Sequence, residues 1–262
     1  MQAEDFRFDG HALSELGFII VQFGKDGGFQ TAEAGSTLSL TTISLEDGRL
    51  NPVVDARYEE TFSLEIGICK EDGSEVIPSE YRALSRWLCK PGHGELQIEN
   101  DLWKDVFFRG SFTMERQLHR GRTVGFTCTF RSAAPFGYGA KREDTISLSS
   151  GSASLYNYND ELGAVYPDTV TIRLNGSGDL VLTNATEGRS TSISGCSSGE
   201  VITMDCRTRQ LESNVAGHAI LESFNFVFPR LYATLDSRNN SFTASLPCTV
   251  TFTYYPIIKV VV

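Results

Sequence analysis

Apolar residues recur at every second position through much of this chain, and that period constrains the fold more than any other feature. Thr61-Phe62-Ser63-Leu64-Glu65-Ile66-Gly67-Ile68 puts Phe62, Leu64, Ile66 and Ile68 on one side of an extended backbone and polar or small residues on the other. Successive strand side chains point to opposite faces, whereas a helix would need apolar positions three and four apart. The stretches 124–130, 169–174 and 248–254 repeat the pattern. Each is expected to form a strand with one buried face, so strands should dominate both halves.

Turn signals punctuate these runs. Asp26-Gly27-Gly28, Glu46-Asp47-Gly48, Asp72-Gly73, Asn175-Gly176 and Asn239-Asn240 supply residues that tolerate positive φ. Turns at this density suit antiparallel sandwiches or barrels. One segment departs from the period. From Pro78 to Cys89, Tyr81, Leu84 and Leu88 recur at helical spacing beside Trp87, and Pro78 suits a first helical turn. Lys90-Pro91-Gly92 should end that helix, because proline cannot continue the ladder and glycine accepts the reversal.

A chain of 262 residues can bury a sizeable core, and domains of roughly 100 to 200 residues make two the expected count. The texture changes between Phe130 and Ser154, where Pro135-Phe136-Gly137-Tyr138-Gly139 is followed by a serine-rich run. We therefore expect a first domain over 1–135, with one α-helix, and a second over 136–262 built of short strands without a helix. The fold class expected is mainly β, with a β-sandwich or split barrel first and a second sandwich after it.

Charge narrows the function. The net charge is −10, and the first 140 residues hold 21 acidic against 14 basic residues. Nucleic-acid binders neutralise phosphates with clustered Lys and Arg, so sequence-specific nucleic-acid binding is not expected. Glu4 and Asp5 stand where an export signal would need a basic stretch, and no apolar run approaches the length of a membrane helix. No membrane association is expected. The six cysteines, Cys69, Cys89, Cys128, Cys196, Cys206 and Cys248, contain no Cys-x-x-Cys pair, so they are read as thiols rather than zinc ligands. Cys128, between Phe126 and Phe130 in the alternation, reads as a small buried hydrophobe.

No catalytic constellation stands out. His11, His93, His119 and His218 are far apart in sequence and suggest no metal site. Gly195-Cys196-Ser197-Ser198-Gly199 matches the Gly-x-Ser-x-Gly elbow, but that elbow needs a strand before it and a helix after it. A strand-like run, Val201-Ile202-Thr203-Met204, follows instead, so the segment reads as a serine-rich loop. Adjacent carboxylates such as Glu59-Glu60, Glu143-Asp144 and Asp160-Glu161 point to opposite faces of a strand and do not converge on a substrate. No cofactor is expected. Asn175, Asn184 and Asn239 begin chance matches to the glycosylation pattern. A carbohydrate-binding β-sandwich is the alternative. With Trp87 and Trp103 both in the first half, sugar stacking in the second half would rely on Tyr156, Tyr158, Tyr166 and Tyr232.

Several segments, in order, carry a family resemblance. Phe6-Arg7-Phe8-Asp9-Gly10 and then Leu16-Gly17, the helix ending in Trp87-Leu88, the hairpin from Glu95 to Gly110, the Gly121-Arg122 turn and Pro135-Phe136-Gly137 resemble the first domain of siphophage distal tail proteins. Tyr166-Pro167, Ile172-Arg173-Leu174-Asn175-Gly176, the segment 199–206, Phe228-Pro229-Arg230-Leu231 and Tyr255-Pro256 resemble that family's galectin-like domain. The resemblance implies a non-enzymatic hub: a ring of six at the tail tip, joining the tail tube protein to the tail-associated baseplate protein. It implies a virion protein, assembled in the host cytoplasm, whose outer domain anchors receptor-binding proteins or binds host sugars. The glycine-rich stretch from Gly24 to Gly35 places Gly27, Gly28 and Phe29 in a loop that could reach a neighbouring subunit. The closing run from Ile257 to Val262 is expected to be paired or covered, since an exposed apolar strand invites aggregation.

Overall fold

The structure, a computed structural model, describes residues 5–23, 38–44, 52–58, 61–100, 104–149 and 151–259. They fall into two units, one within Met1–Tyr138 and Lys259–Val262, the other within Gly139–Ile258.

In the first unit the strands run β1 (Asp5–Phe8), β2 (His11–Ala12), β3 (Phe18–Val21), β4 (Leu38–Thr42), β5 (Val53–Tyr58) and β6 (Ser63–Lys70). After helix α1 (Pro78–Leu88) come β7 (Gly94–Glu99), β8 (Val106–His119), β9 (Arg122–Ser132) and β10 (Gly137–Gly139). The main sheet has the order β2-β1-β7-β8-β9-β6-β3, while β4 and β5 pair as a ribbon of their own. Its inward positions are phenylalanines: Phe6 and Phe8 on β1, Phe108 and Phe112 on β8, Phe126 and Phe130 on β9 are all buried. Phe112 is the hub of this cluster, with ring centroids 5.1 Å from Phe8, 5.1 Å from Phe130 and 5.7 Å from Phe6. Each fully buried aromatic contributes about 1.5–3 kcal/mol from the area removed from water.

Helix α1 forms where its proline and periodicity predict. Leu84 and Leu88 are buried, whereas Tyr81 is largely exposed with its ring stacked 5.5 Å from Phe126. Trp87 lies flat on Phe6, 5.8 Å between centroids, and its Nε1–H donates to the Phe8 carbonyl at 2.9 Å. At the amino end Ile77 offers no capping oxygen. Glu80 compensates from within the first turn by accepting the Ile77 N–H at 2.9 Å while pairing with Lys70 at 2.9 Å. The β8–β9 hairpin turns on Arg120 and Gly121, both at positive φ, 50° and 80°, which matches the twist of the flanking strands. A Cβ on Gly110 would sit 2.2 Å from the Arg131 carbonyl oxygen and 2.4 Å from the Phe130 ring, so only glycine fits that crossing.

The second unit comprises β11 (Arg142–Leu148), β12 (Ser152–Tyr156), β13 (Gly163–Val165), β14 (Thr169–Leu174), β15 (Gly178–Asn184) and β16 (Arg189–Cys196). Then follow β17 (Val201–Asp205), β18 (Gln210–Ser213), α2 (Ile220–Ser223), β19 (Leu231–Ala233), β20 (Asn239–Ala244), β21 (Cys248–Tyr254) and β22 (Ile257–Ile258). A five-stranded sheet, β11-β21-β14-β17-β18, faces a four-stranded one, β12-β20-β15-β16, across one apolar core. Val170, Ile172 and Leu174 of β14 and Phe252 of β21 meet Leu180, Leu182, Ile193 and Phe242 from the other sheet. Phe242 and Phe252 touch across the sandwich at 5.0 Å. The alternate positions face outward as a threonine row, in which Thr145 and Thr251 share a hydrogen bond of 2.9 Å. The fold is mainly β throughout, with a galectin-like second sandwich.

Two expectations for this half are corrected. It does contain a helix, the single turn Ile220–Ser223, too short to leave a periodic trace in sequence. Asn239-Asn240 is not a turn but the start of β20. Asn240 is wholly buried there because its amide stands in for backbone partners. Its Oδ1 accepts from the Tyr232 N–H at 2.7 Å and from Asn184 Nδ2 at 2.8 Å, and its Nδ2 donates to the Tyr232 carbonyl at 2.9 Å. Of the closing run, Ile257 and Ile258 are in β22, and 260–262 lie outside the described residues.

Candidate functional site

The loop expected to reach a neighbour, with Gly27, Gly28 and Phe29, lies outside the described residues, as does Trp103. What the structure does describe nearby is the β4–β5 ribbon. Leu40 on β4 and Val54 on β5 both belong to this ribbon, with Val54 at a register shift between the Thr41–Asp55 and Thr42–Val53 pairs. Both are half exposed, 51% and 54%, and Ile43 and Val53 are equally bare. A two-stranded ribbon without a third strand is marginal by itself, and exposed apolar side chains add the cost of hydrating them.

The serine-rich segment 195–199 is followed by β17 rather than a helix, as its sequence suggests. It nevertheless closes on a group that sequence spacing does not reveal. Glu200 is fully buried and fully partnered: the Ser197 N–H donates to its Oε2 at 2.8 Å, and Ser213 Oγ donates to Oε1 at 2.6 Å. His218 Nδ1 lies 2.6 Å from the same Oε1, and its Nε2 lies 2.9 Å from the Ser194 carbonyl oxygen. Both ring nitrogens lie within hydrogen-bond reach of oxygen atoms. Burial alone would push the Glu200 carboxyl up, but hydrogen bonds from Ser213, His218 and the Ser197 amide, with the His218 charge, hold it below the ordinary value. This is not an acyl-transfer relay. A relay needs a hydroxyl on the outer nitrogen of the histidine, and here a carbonyl occupies that position.

The other sequence candidates are dispersed. His11, His93 and His119 are exposed. Among the described residues, no three His, Cys, Asp or Glu side chains converge as metal donors. All six cysteines are free thiols, and burial pushes the Cys128 thiol up to about 12. Asn184 is buried, so its glycosylation-like triplet is inaccessible.

The four tyrosines considered for sugar stacking separate into different settings. Tyr156 and Tyr158 meet edge to face at 4.8 Å with both rings partly exposed. The Arg142 guanidinium covers Tyr158 at 3.5 Å and grips Asp144 with two bonds of 2.8 and 3.0 Å. Tyr232 is half-buried on β19. Tyr166 packs on the sandwich core and is surrounded by arginines: Arg209 lies over its ring at 3.9 Å and Arg230 at 5.4 Å.

Close to Tyr166 a shallow recess opens between the β15–β16 turn and the Pro229–Arg230 segment, with room for about one water-sized group. Asn184 shapes both walls. Its Oδ1 accepts the Thr186 N–H at 3.2 Å within the turn, and its Nδ2 donates to the Arg230 carbonyl at 3.1 Å. Glu187 and Arg189 line the recess from the turn, and Arg230 reaches across to pair with Glu187. Three polar atoms remain buried without a hydrogen-bond partner there: Glu187 Oε2, Arg189 Nε and Arg230 Nε. An unmatched buried polar group costs about 1–3 kcal/mol. Arg209, on the adjoining β17–β18 turn, has φ of 61°, a left-handed backbone that costs a non-glycine residue about 1–2 kcal/mol. Burial would push the Tyr166 hydroxyl up, yet the Arg209 hydrogen bond and the charges of Arg209, Arg230 and Arg189 pull it below its usual value.

Comparison with known proteins is consistent from end to end. A family model described as the phage tail protein N-terminal domain matches residues 1–134, and one described as the phage tail C-terminal domain matches residues 136–254. Among solved structures, the chain is similar to the Dit protein (gp 19.1) of phage SPP1, described as a paradigm of the hub adsorption apparatus in phages infecting Gram-positive hosts. The TM-score is 0.67 at 14% identity, over 97% of this chain and 99% of that one. At this identity the likeness establishes a shared fold. No curated protein matches the sequence.

Proposed function

This chain belongs to the phage tail protein family whose two domain models span it, and from that membership we propose that it is the hub at the distal end of the tail. It is a tail component of the virion. In our reading, residues 1–135 assemble as a ring of six that joins the tail tube protein to the tail-associated baseplate protein, without catalytic activity. Residues 136–262 face outward and carry receptor-binding proteins or contact host sugars. Assembly takes place in the host cytoplasm.

One observation carries the ring: the β4–β5 ribbon pairs only with itself in the described sheets and leaves Leu40, Val53 and Val54 half exposed on its surface. A neighbouring copy that covers these side chains removes the apolar surface from water and gives the ribbon the packing it lacks. The loop with Gly27, Gly28 and Phe29 joins the same contact. The acidic balance of the first half suits a lumen through which DNA passes without adhering. The likeness to the SPP1 hub fold supports the same reading.

Native mass spectrometry and light scattering test it. A species of six chain masses, formed alone or on addition of the tail tube protein, is the expected result. A chain that stays monomeric at micromolar concentration with its tube partner present overturns the ring. For the outer unit, the exposed Tyr156–Tyr158 pair favours sugar stacking as a second reading, and a glycan array on which Tyr156→Ala binds as the parent does would remove it.

A further inference from the structure

In a chain of net charge −10, Arg189, Arg209 and Arg230 gather around one tyrosine, and Glu187 pairs with Arg230. The cluster is built rather than incidental. The side chain of Glu187 is only 9% exposed, and its Oε2 has no partner in the recess. Arg189 Nε and Arg230 Nε are likewise buried and unpartnered at the same place. Arg209 holds its guanidinium over Tyr166 from a left-handed backbone, where glycine would be the unstrained choice. Strain of this kind persists where the side chain has a use that glycine cannot serve.

The unmatched atoms specify a ligand. Two N–H donors flanked by a third arginine select an oxyanion, since guanidinium groups bind phosphate and carboxylate by charge-assisted hydrogen bonds. Glu187 Oε2 repels an oxyanion and instead accepts a proton donor, which a hydroxyl next to the anionic group supplies. The recess has room for about one water-sized group, so a single oxygen of the ligand enters it while the rest lies over the surface around Tyr166. We propose that the recess between Glu187 and Arg230 is a binding site for an anionic polyol, a phosphate or carboxylate carrying a neighbouring hydroxyl, as in a sugar phosphate or uronate. The site uses none of the Tyr156–Tyr158 surface, and it stands whether or not the chain forms a ring.

Calorimetric titration of the full chain with three small probes tests each part. Glycerol 1-phosphate carries both groups, propyl phosphate lacks the hydroxyls, and glycerol lacks the charge. Glycerol 1-phosphate should bind saturably, propyl phosphate more weakly, and glycerol not at all. Arg209→Gly should weaken glycerol 1-phosphate about tenfold while its melting temperature stays equal or rises, because the left-handed strain is relieved. Glu187→Gln should abolish the preference for glycerol 1-phosphate over propyl phosphate. Absence of saturable binding, equal binding of both phosphates, or an Arg209→Gly variant that binds as the parent does would each overturn the site. Tighter binding of a tetraglutamate peptide than of glycerol 1-phosphate would also overturn it, in favour of a protein partner.

Discussion

His218 Nδ1 lies 2.6 Å from Glu200 Oε1, in a setting where the carboxylate side chain is fully buried and the imidazole 8% exposed. The pair ties the α2 region to the turn between β16 and β17 and to β18, through Ser197 and Ser213. A buried ion pair contributes little net stability relative to an apolar replacement, but removing one partner leaves an uncompensated charge.

Replacement of either partner should therefore be costly. Glu200→Gln and His218→Ala are each expected to lower unfolding stability by about 3 kcal/mol in urea titration. A loss within experimental error for both would mean that the pair is not formed in solution.

The same carboxylate makes stability depend on pH. Its folded value is held below the ordinary 4.5, so its contribution is present in full above pH 4.5 and is lost as pH falls through the lower folded value. In a series of urea titrations at falling pH, the parent should lose stability more steeply in this acidic window than Glu200→Gln. Parallel slopes would contradict the depressed value.

Gly110 offers a test of the first unit. Gly110→Ala forces a Cβ to 2.2 Å from the Arg131 carbonyl, against backbone that the β8–β9 ladder holds in place. A loss of about 3 kcal/mol or more is expected by thermal or chemical denaturation, whereas Gly10→Ala, with no neighbouring atom near its Cβ, meets only the strain of positive φ.

The ribbon separates assembly from folding. Val54→Asp places a charge on a half-exposed position, so the chain should keep its circular dichroism spectrum and melting temperature while the ring is lost from native mass spectra. An intact ring in this variant would move the subunit contact elsewhere.

Much of the architecture was legible because it depends on local geometry. The stretches 169–174 and 248–254 become β14 and β21 at the same residues, and the alternation of apolar positions in 124–130 survives within β9. Pro78 and the spacing of Leu84 and Leu88 placed α1, while the turn read at Gly121-Arg122 falls one residue earlier, on Arg120 and Gly121 of the β8–β9 hairpin. Asn239-Asn240 misled because the same side chain that favours turns can also replace a strand's missing backbone partner, and only the position of Tyr232 shows which it does.

The functional groups were not legible in this way. Glu200 and His218 are 18 residues apart, and Glu187 and Arg230 are 43 apart. No periodicity links such residues, and each taken alone reads as a solvated charge. By itself the sequence determined strand, helix and the mainly β character, because these follow from side-chain alternation and from what proline and glycine permit in the backbone. Only the tertiary structure decided which charges meet. The hairpin connections and sheet register bring distant turns together at each end of the sandwich, and burial converts ordinary surface residues into a paired carboxylate at one end of β16 and an arginine cluster with an unmatched Glu187 oxygen at the other.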